Sequence, residues 1–289
     1  MSLSNGMSTM KPLQCTSPIV VGIDGSQAAI GAALWAADEA LSRNVPLRLV
    51  HVIDVEDEVD RDLDGDPAVV ARDWPETERG MASLRAASAA VQDTGKRLDV
   101  ETQILWGEID QVLIKESETA TMVCVGSVGI APVCREVLGS TATTVVEKGL
   151  CPVAVIRTPH AAPTSEPDWI VAVVDDTVES DEVADFALEE AHLRRAPVLA
   201  LGVSRGSHHE VHYDDLQRRV DSWRHDHPYV HIYPVSVPTD AAAFLAQHDE
   251  LSVQLTVLGA AASDQAPAIV GPHRPSRRAH NQCSVLVVR

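Results

Sequence analysis

Aromatic side chains are scarce in this chain: 289 residues carry 2 Phe, 5 Trp and 3 Tyr. So few stacking faces argue against recognition of single-stranded nucleic acid. Positive charge is short too, 23 Lys and Arg against 42 Asp and Glu, for a formal net charge of −19. A surface of that sign repels phosphate backbones and anionic lipid, which speaks against a general nucleic-acid or membrane-surface role. The 5 cysteines (Cys15, Cys124, Cys134, Cys151, Cys283) form no CxxC pair, so a reducing compartment is expected rather than a disulfide framework. No stretch reaches the ~18 consecutive apolar residues of a membrane span. Met1 to Ser17 is polar, with no apolar signal core. These absences lead to the expectation of a soluble, cytoplasmic protein.

What the chain does have is a repeat. Ile19-Val-Val-Gly-Ile-Asp24 and Ile170-Val-Ala-Val-Val-Asp175 lie 151 positions apart. The same offset carries Trp35-Ala-Ala-Asp-Glu-Ala40 onto Phe186-Ala-Leu-Glu-Glu-Ala191, and Pro46 onto Pro197. The closing segments, Cys151-Pro-Val-Ala-Val-Ile-Arg157 and Cys283-Ser-Val-Leu-Val-Val-Arg289, also match. Two copies of one unit suit the length, at ~100–200 residues per domain. The expected division is a disordered tail over 1–17, a first domain over 18–157, a proline-rich linker over 158–167 and a second domain over 168–289. Short, wholly apolar runs alternate with helical periodicity, the mark of parallel strands covered on both faces. The pattern predicts strands over 18–23, 46–53, 98–105, 121–126 and 152–156, with helices over 28–44, 76–94, 109–120 and 141–148. Each copy is thus a doubly wound, Rossmann-like α/β domain with a five-stranded parallel sheet.

Ligands of such sheets bind beyond the carboxyl ends of the strands, where connections leave to opposite faces. Here the first strand runs into Gly22-Ile-Asp24-Gly25-Ser26 and the fourth into Val125-Gly126-Ser127-Val128-Gly129. Gly139-Ser140-Thr141 then opens the next helix. Glycine lets backbone N–H groups reach a ligand without a Cβ in the way. Free amides at a helix start, with their partial positive charge, complete an anion cradle that needs few cationic side chains. Each position also has a plainer reading: Gly126 and Gly139 as loop punctuation, Asp24 as a turn former, Val52 as core.

The full spacing Gly126-x2-Gly129-x9-Gly139-Ser140 resembles that of the ATP-binding universal stress proteins. Val21-Gly-Ile-Asp-Gly-Ser26 resembles that family's first strand and turn, and the duplication resembles its tandem-domain actinobacterial members. The likeness covers the chain from about Pro18 to Arg289. It implies the adenine nucleotide alpha hydrolase-like form of the fold, ATP as ligand, and a regulatory role in the response to stress or dormancy. Position by position, it implies that Gly22 and Asp24 lie beside the nucleoside and that Val52 meets the adenine through its backbone. Gly126, Ser127 and Gly129 would wrap ribose and phosphates, and Gly139, Ser140 and Thr141 would hold the phosphate tail. The resemblance leaves room for a magnesium ion between the phosphates, with no protein carboxylate assigned to it. It also implies a homodimer and a protein partner that the residues do not identify. The runs 152–156 and 284–288, short, apolar and last in each unit, read as sheet edges that seek a partner, and they predict an intrachain pseudo-twofold pair of domains with these edges side by side.

Aligning Cys283 with Cys151 sets Gly259-Ala-Ala-Ala262 and Gly271-Pro272 against the glycine loop of the first copy. Ala262 adds a Cβ, and Pro272 removes a hydroxyl and an N–H. The second copy is therefore expected to be degenerate, although His273, Arg274, Arg277 and Arg278 bring compensating charge to the same loop. Asp60 to Asp66 copies half a calcium loop but lacks its bidentate Glu, and the histidines from His208 to His231 read as surface. No G-x4-G-K-[ST], G-x-G-x-x-G, G-x-S-x-G or H-E-x-x-H pattern occurs. No catalytic residue is assigned, and any ATP hydrolysis or autophosphorylation should be slow without positioned charge. A nucleotide-dependent regulator, a slow phosphoryl-transfer enzyme and a nucleotide-free structural module are the three readings the residues leave open.

Overall fold

The computed structural model describes residues 17–54, 67–127, 138–157, 168–177, 179–203, 213–248, 250–271 and 283–289, with only the backbone for 67–74. The tail before Ser17, the linker 158–167 and Gly129 lie outside these residues. The leading half runs β1 (Ile19–Gly22), α1 (Gln27–Arg43), β2 (Leu47–Ile53), α2 (Pro67–Asp93), β3 (Val100–Trp106), α3 (Ile109–Glu116), β4 (Met122–Gly126), α4 (Ser140–Lys148), β5 (Val153–Ile156). The trailing half runs β6 (Trp169–Val174), α5 (Glu179–Arg194), β7 (Val198–Val203), α6 (Tyr213–Asp226), β8 (Ile232–Val237), α7 (Ala241–Gln247), β9 (Val253–Gly259), a 3-10 turn (Ala260–Gln265), α8 (Ala266–Val270) and β10 (Ser284–Val288). Helix α2 starts nine residues before the Glu76 that periodicity marks as its beginning, and it carries Pro75 inside. Pro67 suits a first turn, where no N–H is needed.

The strands form one ten-stranded sheet in the order β3-β2-β1-β4-β5-β10-β9-β6-β7-β8. Each half supplies five parallel strands in the same winding, and β5 and β10 join the halves antiparallel, Val155 opposite Val285 and Ala154 opposite Leu286. The two terminal strands thus lie side by side, as expected, and neither is left as a free edge. Helices α1, α2, α5 and α6 cover one face, and α3, α4, α7 and α8 the other, so two cores run across both halves. This double cover is why β1, β4, β5 and β10 are almost wholly buried and apolar. Helix α1 turns Ala29, Ala32, Ala33, Ala36, Ala37 and Ala40 inward, and these small side chains let it lie close on the sheet.

The last residue of each repeat has a reciprocal task. Arg157 donates to the carbonyls of Val270 and Gly271 at the end of α8, and Arg289 donates to the Val146 carbonyl in the last turn of α4. Each arginine thus lends positive charge to the negative end of the other half's helix. On the opposite face, α1 and α5 exchange a second set of contacts. The Arg43 guanidinium lies over Phe186 at 5.2 Å, and that of Arg194 over Trp35 at 4.6 Å. Between them sit Glu39 and Glu190, 1% and 0% exposed. All four residues of this charged cluster obey the 151-position offset.

Candidate functional site

Two connections leave the middle of the leading half in opposite directions, β1 into α1 on one face and β4 toward α4 on the other. The crevice between the ends of β1 and β4 is therefore the switch point of this half. On its β1 side, Asp24 Oδ1 accepts from Ser26 N at 2.9 Å across Gly25, whose φ of 89° lies in the left-handed region. Ser26 then caps α1, its Oγ accepting from Ala29 N at 3.1 Å. Asp24 is therefore a turn former, and it remains half-exposed at the crevice.

Gly126, which ends β4, sits against the first turn of α1. A Cβ there would lie 2.7 Å from the Ala28 carbonyl carbon and 2.9 Å from Ala29 N. Gly22 is less constrained, its added Cβ meeting Leu113 at 3.4 Å. Ser127 is buried, and its N–H donates to the Ile156 carbonyl at 2.9 Å. Its own carbonyl accepts from Gly139 N at 3.1 Å, which closes the intervening loop and sets the start of α4 beside the end of β4. Gly139 is the N-cap of α4 and has no side chain to satisfy the first amides. Ser140 is exposed there and Thr141 half-buried. A Cβ on Gly139 would meet nothing closer than the Ser127 carbonyl at 3.8 Å. Packing within the described residues thus explains the glycine at 126 and leaves the one at 139 unexplained.

Val52 owes its place to strand parity. Leu47 N donates to Asp99 O and Gly107 N to Ile53 O, which commits the odd residues of β2 to β3. Val50 accepts from Ile23 N at 2.8 Å on the other side. Val52 therefore aims its N–H and C=O toward β1 just beyond Gly22, the last β1 residue to pair. Its side chain packs into the core, so the core reading holds for the side chain while the backbone faces the crevice. The carboxyl ends of the adjacent strands β2, β1 and β4 and the start of α4 thus bring Gly22, Asp24, Val52, Gly126, Ser127, Gly139, Ser140 and Thr141 to one end of the sheet.

Sequence reasoning passes over His51. Its Nδ1–H donates to the Ile23 carbonyl at 2.6 Å, and its ring rests against Gly80 of α2. The repeat does carry a signal for it, because the 151-position offset sets His51 against Gly202.

The trailing half buries the corresponding aspartate. Asp175, the counterpart of Asp24, is 4% exposed. Its Oδ1 accepts from Thr177 N at 3.0 Å, from Thr177 Oγ1 at 2.5 Å and from Ser180 Oγ at 2.5 Å. Arg219 of α6 donates to the Asp175 carbonyl at 2.7 Å and to Asp181 at 2.8 Å. Ala262 is buried in the 3-10 turn, and α8 follows at once. Gly271 closes α8, its N–H donating to Pro267 O at 2.9 Å. The apolar run Ala266-Pro-Ala-Ile-Val270 packs against α7 and β10 before that glycine is reached, as α4 packs against α3 and β5. Pro272, His273, Arg274, Arg277 and Arg278 lie outside the described residues.

Other chemistry suggested by the sequence finds little here. Burial pushes the Cys151 thiol up to about 11 and that of Cys283 to about 12, and it raises Cys124 as well, so these three are poor nucleophiles. Cys134, the acidic run 60–66 and His208, His209 and His212 lie outside the described residues. Among the described residues no three His, Cys, Asp or Glu side chains cluster as a metal site, and no helix is long and apolar enough to cross a membrane.

Comparison with known proteins agrees with this architecture. The model of the universal stress protein family matches residues 16–157. Universal stress protein Rv2624c of Mycobacterium tuberculosis is 46% identical over 94% of this chain and 96% of its own length. Universal stress protein Rv3134c of the same organism is 39% identical, over 94% of this chain and 95% of its own. Among solved structures, a universal stress protein from Archaeoglobus fulgidus superposes with a TM-score of 0.68 over 94% of this chain and 98% of that one. At 16% identity, that match speaks to the fold.

Proposed function

Since this chain belongs to the universal stress protein family, we propose that its leading half binds an adenine nucleotide, ATP foremost, and that the bound state acts as a regulatory signal in the response to stress or dormancy. The observation that carries this reading is the Gly139 N–H to Ser127 carbonyl bond of 3.1 Å. It sets the amino end of α4, which has no side-chain cap among the described residues, beside the end of β4; the neighbouring strand β1 carries the Asp24 turn and β2, next in the sheet, carries Val52. The α4 amides and the Ser140 and Thr141 hydroxyls suit the phosphates, Val52 suits the adenine edge, and Asp24 suits the nucleoside. The resemblance adds Gly129 to the phosphate loop. A magnesium ion would be held by the phosphates it neutralises rather than by a protein carboxylate. Regulation would work through conformation or assembly, and only to the extent that the nucleotide prefers one state.

Purified protein is expected to retain one adenine nucleotide per chain, in the leading half. Gly139→Ala should weaken ATP binding roughly tenfold, about 1.4 kcal/mol, and leave the melting temperature nearly unchanged, because among the described residues the new methyl group meets nothing closer than the Ser127 carbonyl at 3.8 Å. Two nucleotides per chain, or full affinity in that variant, would contradict the assignment.

Self-association of the chain falls to β3 in this reading. The outer strands of the sheet are β3 and β8. In β8 the outward-facing even positions include Pro234, which blunts that edge. Strand β3 has seven residues without proline, and its even positions, Thr102 and Ile104 among them, turn their N–H and C=O outward. Unpaired edges of this kind seek a strand. Thr102→Pro removes an outward donor and leaves the bonds to β2 intact. It is expected to lower the mass seen in light scattering from dimer to monomer, and an unchanged mass would exclude this edge.

A further inference from the structure

We propose that His51 is a positioning residue of the nucleotide crevice: seated in the space left by Gly80, it holds the Ile23 carbonyl and so keeps the Val52 N–H free for the ligand. The inference rests on the nucleotide reading above and adds a residue to it. In a continued parallel ladder, the Ile23 carbonyl would accept from Val52 N–H, because Ile23 N already donates to Val50 O. The imidazole Nδ1–H takes that carbonyl at 2.6 Å instead. The ring fits only because the helix residue above it has no side chain. A Cβ on Gly80 would stand 2.5 Å from His51 Cδ2 and 3.0 Å from Nε2. Glycine inside a helix is unfavourable relative to alanine, so its presence in α2 has the ring as its physical reason.

The trailing half makes the opposite choice. Its strand residue at the place of His51 is Gly202, and the bulk comes from the helix as Arg219, which holds the Asp175 carbonyl at 2.7 Å. There the aspartate side chain is enclosed by its own loop, with Ser180 Oγ and Thr177 Oγ1 each at 2.5 Å. Bulk on the strand with space on the helix accompanies the open crevice. Space on the strand with bulk on the helix accompanies the closed one.

The test is the affinity for ATP of the full chain and three variants by calorimetry, with melting temperatures measured alongside. His51→Leu keeps the volume and loses the donor, and it is expected to weaken ATP binding about tenfold. His51→Asn places an amide N–H near the Nδ1 position and is expected to restore affinity to within about threefold of the wild type. Gly80→Ala, which displaces the ring, should weaken binding as His51→Leu does. A purely structural role would move leucine and asparagine together with the melting temperature, and that result would overturn the proposal. ATP affinity in the wild type that His51→Leu leaves intact overturns the positioning role and spares the nucleotide reading. No affinity in the wild type overturns both.

Discussion

Raising the pH from about 5 to 9 is expected to lower the melting temperature of this chain, and Glu190→Gln to flatten that decline. Glu39 and Glu190 are buried together where α1 meets α5. Arg43 lies 3.5 Å from Glu39, 3.9 Å from Glu190 and 3.0 Å from the exposed Glu189. Arg194 lies 2.8 Å from Glu39 and also contacts Glu190. Burial is the main cause that lifts the Glu190 carboxyl from 4.5 to about 9. The charge of Glu39 lifts it further, and Arg194 and then Arg43 pull it back. Cys124, on β4, also feels the cluster. A carboxyl raised in the folded state holds a proton that the unfolded chain gives up near pH 4.5. Its contribution is complete below that pH and is lost as the pH climbs toward 9. A tenfold change in proton affinity is worth about 1.4 kcal/mol, so even part of this span amounts to a few kcal/mol.

The glutamine variant imitates the protonated acid and should match the wild type near pH 5, then surpass it near pH 9. Glu190→Ala is expected to cost about 3–5 kcal/mol at either pH, because it empties a fully buried site and takes one of the two buried carboxyls from Arg194 and Arg43. Thermal unfolding at pH 5, 7 and 9 checks all three proteins. A flat wild-type profile, with glutamine destabilising equally throughout, would mean that both carboxylates are ionised.

Gly126→Val is expected to cost stability and nucleotide together. The new Cβ would press on the backbone of Ala28 and Ala29 at 2.7 Å and 2.9 Å, and neither atom can swing aside as a side chain end could. Helix α1 must therefore shift, and its six inward alanines lose their fit on the sheet. Overpacking of this kind costs about 1–3 kcal/mol. At roughly 2–4 °C per kcal/mol in a chain of this size class, the melting temperature should fall by several degrees. The Asp24 turn moves with the helix, so ATP affinity should drop as well. The contrast with Gly139→Ala is the informative part, since that change is expected to remove affinity alone. Calorimetry with ATP and thermal unfolding on both variants separate the two glycines. Equal melting temperatures for Gly126→Val and the wild type would show that α1 accommodates the side chain.

Much of the fold is legible because its signals are local. Apolar runs such as Val20-Val-Gly22 and Met122-Val-Cys-Val125 reveal strands buried on both faces, and the inward alanines of α1 recur at helical spacing. The spacing from Gly126 through Gly139 to Ser140 marks the crevice without any knowledge of its geometry. Helix α2 extends nine residues beyond its predicted start, because Pro75 looks like a start signal and here lies inside the helix. Glu39 and Glu190 look like ordinary surface acids, each with an arginine one turn on, since the copy that buries each of them stands about 150 positions away.

Residues near one another along the chain were enough to specify the strands, the helices and the duplication, because periodicity and turn chemistry act over a few residues. Contacts between distant residues settled the rest: which copy keeps its aspartate partly exposed, which glycine packs against a helix, and where two acids are buried together. Asp24 and Asp175 end nearly identical strands, yet Arg219 and Ser180 enclose one while His51 and Gly80 hold the other's turn from behind. That difference comes from which side chains the strand and the helix over it bring to each strand end, and a side chain's burial and electrostatics follow from its neighbours in space.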